Sequence, residues 1–536
     1  MSSRMSRRNF VAGALPVSAA LGGATMPAVA ARPAGGPAWD QADVAALQQA
    51  MAGGSLSSLA LTKFYLQRIA ALDRRGPNLR AVIELNPDAL AQAKALDAER
   101  RQGQLRGPLH GLPVLIKDNI ATGDKMSTTA GSLALQGLHA RRDAFIVTRL
   151  REAGAVILGK TNLSEWANIR SSRSTSGWSS RGGQTRNPHV LNRNPSGSSS
   201  GSAVAVSAGL CALAVGTETD GSITSPASIC GVVGLKPTVG RVSRDGIIPI
   251  AASQDTAGPM TRQVRDAALL LQALAAPDRR DAATALAPAA TPDYLAALRP
   301  DALRGARLGI IRTALPPQPQ VNALFEQALA VLRAQGAVLI DKLDIPEQPR
   351  YAETENTALM IELNDGLPKY LAEFQPDAPI KTLADLIAWN LAHAREVMPF
   401  FDQELLLNAE ASAPLDSDVY RQTLATNQRY ARAEGLDALF AQHQLDALVA
   451  PTGNLAWLTD TLIGDHFTAG GFTSPFAVAG YPHLTVPMGL VAELPAGISF
   501  GGLAWQEAKL LGYGFAYEQA SPQRRPPRFL PTTSAA

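Results

Sequence analysis

Pro195-Ser-Gly-Ser-Ser-Ser-Gly-Ser202 runs straight into Ala203-Val-Ala-Val-Ser-Ala-Gly-Leu-Cys-Ala-Leu-Ala-Val-Gly216, and a second small-residue turn, Thr217-Glu-Thr-Asp-Gly-Ser222-Ile223, follows at once. A glycine and serine run taken alone reads as a flexible linker. A linker does not lead into a mostly apolar stretch and then a second turn of the same kind. Small residues at both ends of a buried helix–strand unit instead let two backbones approach one point closely.

Working outward, Leu112–Lys117 is a short apolar run, Asp143–Glu152 reads as a helix ended by Gly154, and Ala155–Gly159 reads as a buried strand. The same order returns at Val321–Gln335, Gly336 and Ala337–Ile340. Helices feeding short continuous apolar strands predict an α/β protein with a largely buried sheet. Upstream, Asp40 is expected to cap a helix to about Ala52, Ser55 to open a second to about Leu72, and a third to span Pro87 to Arg101. Residues 275–300, rich in Ala, Pro and Asp, read as a loop or small insertion, and 350–440 as mostly helical, suited to a lid. The segment 521–536 has little to bury and is expected to be a disordered tail.

The 536 residues are 46% hydrophobic and 18% charged, an ordinary globular balance. Ser6-Arg7-Arg8-Asn9-Phe10-Val11 sets paired arginines before an apolar run, and Ala28-Val29-Ala30 offers a peptidase site. Residues 1–30 therefore read as a twin-arginine signal, with export to the periplasm or medium, and 31–520 as a single domain. That leader holds Arg4, Arg7 and Arg8 and no acid, so of 49 basic residues 46 remain against 46 acidic. A mature charge of zero gives no electrostatic footprint for nucleic acid, and outside the leader no apolar run is long enough to span a membrane. Cys211 and Cys230 are expected as buried thiols, because a twin-arginine substrate folds in a reducing cytosol. The seven histidines show neither HExxH nor any other ligand spacing, so no metal and no cofactor are expected.

Gly197-Ser198-Ser199-Ser200-Gly201 matches GxSxG, the turn that presents a nucleophile in α/β-hydrolases. That turn requires a strand before it, whereas Arg186–Pro195 carries two prolines and reads as a loop. The match to Ser199 is set aside. With it goes a penicillin-recognising serine enzyme, since the chain has no SxxK.

Gly111-Leu-Pro-Val-Leu-Ile-Lys117-Asp-Asn-Ile, the Gly/Ser segment, Gly216-Thr-Glu-Thr-Asp-Gly-Ser222-Ile, and Cys230-Gly-Val-Val-Gly-Leu-Lys-Pro-Thr-Val-Gly-Arg-Val-Ser243 together resemble the amidase signature family over residues 105–262. Weaker similarity runs from about 40 to 510. The resemblance implies a large twisted mixed β-sheet covered by α-helices on both faces. It also implies a Ser–cis-Ser–Lys triad, with the lysine at Lys117, the bridging serine at Ser198 and the nucleophile at Ser222. The backbone N–H groups of Thr219, Asp220, Gly221 and Ser222 would then form the oxyanion hole.

The residue types suit that chemistry. A serine hydroxyl is a weak nucleophile until a base takes its proton, and lysine is a base only when neutral, which burial promotes. Ser198, both donor and acceptor, would relay the proton from Ser222 to Lys117 and on to the leaving amine. Asp118 and Asn119 are expected to satisfy groups around the lysine, and Lys236 to be structural. The family's GGSSGG has become Ser196-Gly-Ser-Ser-Ser-Gly201, and Asp220 stands where glycine is common, which puts an acid where it can tune substrate choice.

Gly159-Lys-Thr-Asn-Leu-Ser-Glu-Trp-Ala-Asn168 and Ser176-Gly-Trp-Ser-Ser-Arg-Gly-Gly-Gln-Thr-Arg-Asn-Pro188 look most like the peptide amidase branch. That likeness implies release of ammonia from the C-terminal amide of peptides. Trp178 is expected either to line the pocket or to pack. Alternatives are an amidase for small aryl, aliphatic or fatty amides, a glutaminase subunit of a tRNA-dependent amidotransferase, and an inactive binding homologue. The partner expected is a small-molecule or peptide amide, with no nucleic acid or membrane, and the assembly a monomer or homodimer.

Overall fold

Glycine-bounded apolar runs become strands here because both faces of each strand find cover. The computed structural model describes residues 39–346, 348–468 and 470–533. The expected leader, residues 1–30, lies outside them, as do residues 31–38. The strands are β1 (Val82–Leu85), β2 (Pro113–Lys117), β3 (Val156–Thr161), β4 (Trp178–Ser179), β5 (Gly183–Gln184), β6 (Leu213–Glu218), β7 (Val233–Lys236), β8 (Thr256–Thr261), β9 (Arg307–Ile311), β10 (Val338–Leu343), β11 (Ala447–Pro451), β12 (His483–Val491) and β13 (Leu494–Gly501). Eleven form one mixed sheet in the order β1-β3-β2-β6-β8-β7-β12-β13-β11-β9-β10, while β4 and β5 make a small separate hairpin.

β2 runs parallel to both neighbours, with Val114 opposite Ile157 of β3 and Leu213 of β6. Every residue of β2, β3 and β6 is buried. Successive side chains point to opposite faces, so the sheet is covered on both. The helix Ser200–Ser207 is buried along its whole length and packs on β6, β2, β3 and β8. The edge strands β1 and β10 carry the partly exposed patterns.

The first helix is Val44–Ala52, capped by Asp43, whose side chain accepts from Ala46 N, and not by Asp40. Asp40 lies instead 3.6 Å from the Arg68 guanidinium. The second is Ser58–Arg68, capped by Ser57 rather than Ser55, and it continues as a π-helical turn over Ile69–Asp73. Residues 275–300 are irregular around one short turn, Ala282–Leu286, pinned by Ser243 Oγ on Asp278 and Arg244 on Asp281. From 348 to 443 the chain is mostly helical, starting with the long helix Gln348–Phe374.

The expectation of a loose tail fails for residues 521–533. Leu191 N donates to Leu530 O (2.7 Å), and Leu530 N donates back to His189 O (3.1 Å). Backbone pairing needs no apolar side chains, which is why composition missed it. Residues 534–536 lie outside the described part.

The helical layer is anchored to the sheet side through Arg170. This side chain is fully buried and pairs with buried Glu165. Its Nη1 also donates to Val397 O (2.7 Å) and its Nη2 to Phe401 O (3.1 Å), with the guanidinium 4.1 Å from the Phe401 ring centroid. Removing one partner of such a pair strands the other charge. Arg170→Ala should therefore cost about 3–5 kcal/mol in denaturant unfolding, and a loss under about 1 kcal/mol would show that the anchor carries nothing.

Candidate active site

Lys117 is the last residue of β2, and the parallel register that sets Ile116 against Val215 brings its amine beside Thr217 just down β6. The side chain is fully buried. Nζ lies 2.7 Å from Ser198 Oγ, 2.9 Å from Thr217 Oγ1 and 3.2 Å from Thr217 O. Burial pushes its pKa down from 10.5 to about 7, against the pull of the Asp255 and Glu218 charges. A neutral lysine has two N–H donors and one lone pair. The two Thr217 oxygens can take the donors, which leaves the lone pair to accept from the Ser198 hydroxyl. Asn119 Nδ2 donates to the same Thr217 Oγ1 (3.0 Å), so it acts on the lysine's partner rather than on the lysine. The Asp118 carboxylate turns away, to Thr129 Oγ1 and Arg181.

Ser198 follows a cis Gly197–Ser198 peptide bond and is fully buried. Its carbonyl accepts from Ser164 N (3.1 Å). The glycines around it are needed for closeness: a Cβ at Gly197 would lie 2.3 Å from Ser164 Oγ, and one at Gly201 2.3 Å from Ala81 O. The serines that replace the family's glycines have found work. Ser196 Oγ meets Ser225 Oγ at 2.8 Å, and Ser200 Oγ donates to Ser196 O at 2.6 Å. Ser199, the GxSxG candidate, is fully buried and exchanges hydrogen bonds with the Thr217 backbone (2.9 and 3.1 Å).

The loop 219–222 is closed by Glu218. Its carboxylate accepts from Ile223 N (2.7 Å) and Thr224 N (2.9 Å), folding the chain back on itself at the start of the helix Thr224–Ile229. Asp255 grips the other side: Oδ1 accepts from Thr219 Oγ1 (2.5 Å), while Oδ2 accepts from Ile250 N and Ala251 N. Ser199 N donates to Ser222 O (3.1 Å), tying this loop to the Ser198 segment. The N–H groups of Thr219, Asp220, Gly221 and Ser222 donate to no acceptor among the described residues. Ser222 is 8% exposed, and its hydroxyl makes no hydrogen bond among those residues. Lys117 and Ser198 are thus in direct contact, and Ser222 is joined to them through backbone. A cavity of about 240 Å³ adjoins the cluster, with Asn119, Ala167, Thr217, Thr219 and Asp255 in its wall.

Trp178 packs. It is 6% exposed, edge-on to Phe401 (5.1 Å) and Phe400 (5.7 Å), and it does not line that cavity. Lys236 is buried and donates to Tyr481 O and Pro237 O, a bracing role as expected. Cys211 and Cys230 are free and buried. No described histidine hydrogen-bonds to Lys117, Ser198 or Ser222; His483 is buried between aromatic rings, its pKa pushed down to about 3 by burial. Sequence reasoning missed Asp255 and the closing role of Glu218. The second had a visible signal, an acid between β6 and a small-residue turn.

Known proteins resemble this chain in both sequence and fold. The amidase family model matches residues 60–511. A probable amidase of Arabidopsis thaliana is 43% identical, over 89% of this chain and 89% of its own. The native peptide amidase of Stenotrophomonas maltophilia superposes with a TM-score of 0.88 at 55% identity, covering 92% of this chain and 99% of the other. A peptide amidase in complex with the competitive inhibitor chymostatin gives a TM-score of 0.89 at 56% identity, over 91% and 99%. With a buried lysine–serine contact at the end of a central strand and a family match over most of its length, the chain belongs to the amidase family and is a hydrolase acting on amide bonds.

Proposed function

We propose that the protein hydrolyses the C-terminal amide of peptides, with Ser222 as nucleophile, Ser198 as proton relay and Lys117 as base. The observation that carries the mechanism is the buried Lys117 amine, 2.7 Å from Ser198 Oγ, beside a loop of uncommitted N–H groups that ends at Ser222. The likeness to peptide amidases supports the substrate class.

Ser222 Oγ attacks the amide carbon as its proton passes to Ser198, whose own proton passes to Lys117. Relay hydrogen bonds of this kind tighten when substrate binds, which is when Ser222 Oγ closes on Ser198. The negative oxygen is received by the N–H groups of Thr219 to Ser222. Return of the proton along the same path releases ammonia and leaves an ester on Ser222. Water then attacks the ester carbon as it gives a proton through Ser198 to Lys117, and return of that proton to Ser222 Oγ breaks the ester bond and releases the free acid.

Ser222→Ala should lose more than about a thousandfold in kcat, and a fluorophosphonate should label the peptide containing Ser222. Labelling at Ser199 would instead restore the GxSxG reading. Because the base works only when neutral and the Lys117 pKa is lowered to about 7, kcat/KM should fall about tenfold per pH unit below that value and level off above it. A rate still climbing steeply at pH 9 would mean that the lysine titrates as an ordinary surface amine. Ammonia release from a peptide amide should far exceed that from benzamide, glutamine or oleamide; a preference for any of these three would move the protein to another branch of the family.

A further inference from the structure

Two residues before Ser222, the Asp220 carboxylate accepts from Thr473 Oγ1 (2.6 Å) and Ser474 Oγ (2.5 Å). From the helix Gln348–Phe374, Glu355 reaches the same place: its Oε1 accepts from Gln254 Nε2 (2.9 Å), which also lies 3.4 Å from Thr219 O. The helical layer therefore meets the oxyanion loop through a carboxylate, an amide and a backbone carbonyl. Burial and the Asp220 charge together hold the Glu355 carboxyl well above its usual range, and burial raises Asp220 as well.

This cluster has acceptors to spare. Among the described residues Gln254 Oε1 and Tyr351 OH have no hydrogen-bond partner, although each residue is only 1% exposed. Tyr351 lies close enough to Glu355 and Asp220 for both charges to act on it. Neither carboxylate forms an ion pair among the described residues. Lys236, the cation that acts on Asp220 through space, spends its donors on Pro237 O and Tyr481 O. Buried polar groups are ordinarily satisfied, and a set of unsatisfied acceptors beside two acids calls for a ligand with several N–H donors. Of Asp220, Glu355, Gln254 and Tyr351, Gln254 alone also borders a cavity of about 530 Å³, whose wall includes Arg432.

We propose that Asp220, Glu355, Gln254 Oε1 and Tyr351 OH form a subsite for a positively charged group of the substrate, an ammonium or a guanidinium. The proposal rests on the peptide-amide reading, because a peptide amide brings such a group as its free amino terminus or as a basic side chain. Asp220 and Glu355 are then specificity residues, separate from the proton relay.

The test compares matched amides on the intact protein. One pair is an N-acetylated dipeptide amide ending in arginine against the same compound ending in citrulline, which keeps the shape and removes the charge. The other is a dipeptide amide with uncharged side chains and a free amino terminus against its acetylated form. The cation-bearing member should have kcat/KM at least about tenfold higher, mostly through KM. A preference in the first pair alone assigns the side chain, and in the second alone the terminus. Equality within both pairs overturns the subsite. Glu355→Gln should shrink the ratio at least about fivefold and Glu355→Lys should abolish it; an unchanged ratio in either folded variant overturns the proposal, and a ratio is insensitive to a general loss of activity. Should a variant not fold, the wild-type ratios still decide. Turnover of benzamide but of no peptide amide would sink the peptide-amide reading by itself. The same four compounds then serve as competitive inhibitors of benzamide hydrolysis, where equal inhibition within both pairs overturns the subsite.

Discussion

Lys117 ends a strand with neighbours on both sides and layers above and below, so its amine has no water to solvate a charge. An unpaired charge in such a place is expensive, and among the described residues no carboxylate forms an ion pair with it. What surrounds it are neutral oxygens, from Ser198 and from Thr217 twice. Neutral partners ask little of the lysine's charge. They are also what a base needs if it is to stay deprotonated near neutrality. The acids that do act on it, Asp255 and Glu218, work at longer range and are already occupied, each by backbone N–H groups.

Those two carboxylates explain how the loop before Ser222 holds its shape. Glu218 binds the N–H groups just after the loop, and Asp255 binds Thr219 at its start. Among the described residues the four N–H groups of Thr219 to Ser222 meet no acceptor, because the loop is also held through its side chains and carbonyls: Asp220 by Thr473 and Ser474, Gly221 O by Ser225 N and Ser222 O by Ser199 N. A loop stabilised by its own backbone bonds would have consumed the donors that make it useful. The grip also adds a modest negative field, which favours the protonated lysine that the proposed relay would form. In that proposal loop and lysine share one pair of acids.

Much of this was legible in the chain and some was not. The strands at Leu112–Lys117 and Ala155–Gly159 were readable because Gly111 and Gly154 precede unbroken apolar runs, although β3 runs on through polar Lys160 and Thr161. The caps were misplaced by two or three residues, since Asp40 and Asp43, or Ser55 and Ser57, are equally good candidates by type, and only the tertiary partner of Asp40 decides. The contact of Lys117 with Ser198 spans 81 residues and rested on resemblance, not on pattern. Asp255 and Glu355 lie outside any motif, because a lone carboxylate gains meaning only from what folds against it. Trp178 shows the converse: an aromatic within a motif segment whose neighbours, Phe400 and Phe401, come from the distant helical layer and make it a packing residue.

The departures from the family pattern in the Gly/Ser segment separate what that segment must be from what it happens to be. Ser196 and Ser200 stand where glycine is usual, and each hydroxyl is absorbed by a local hydrogen bond. Ser196 even takes a φ of 60°, a conformation that costs a non-glycine residue about 1 kcal/mol. Gly197 and Gly201 have no such latitude, because backbone or side-chain oxygens sit within 2.4 Å of where a Cβ would be. The positions without room are those on either side of Ser198, where Ser164, Ala81 and Asn162 press against the turn. The constraint is thus not flexibility but proximity: the serine must be carried deep enough between β2 and the loop 219–222 to reach the buried Lys117 amine.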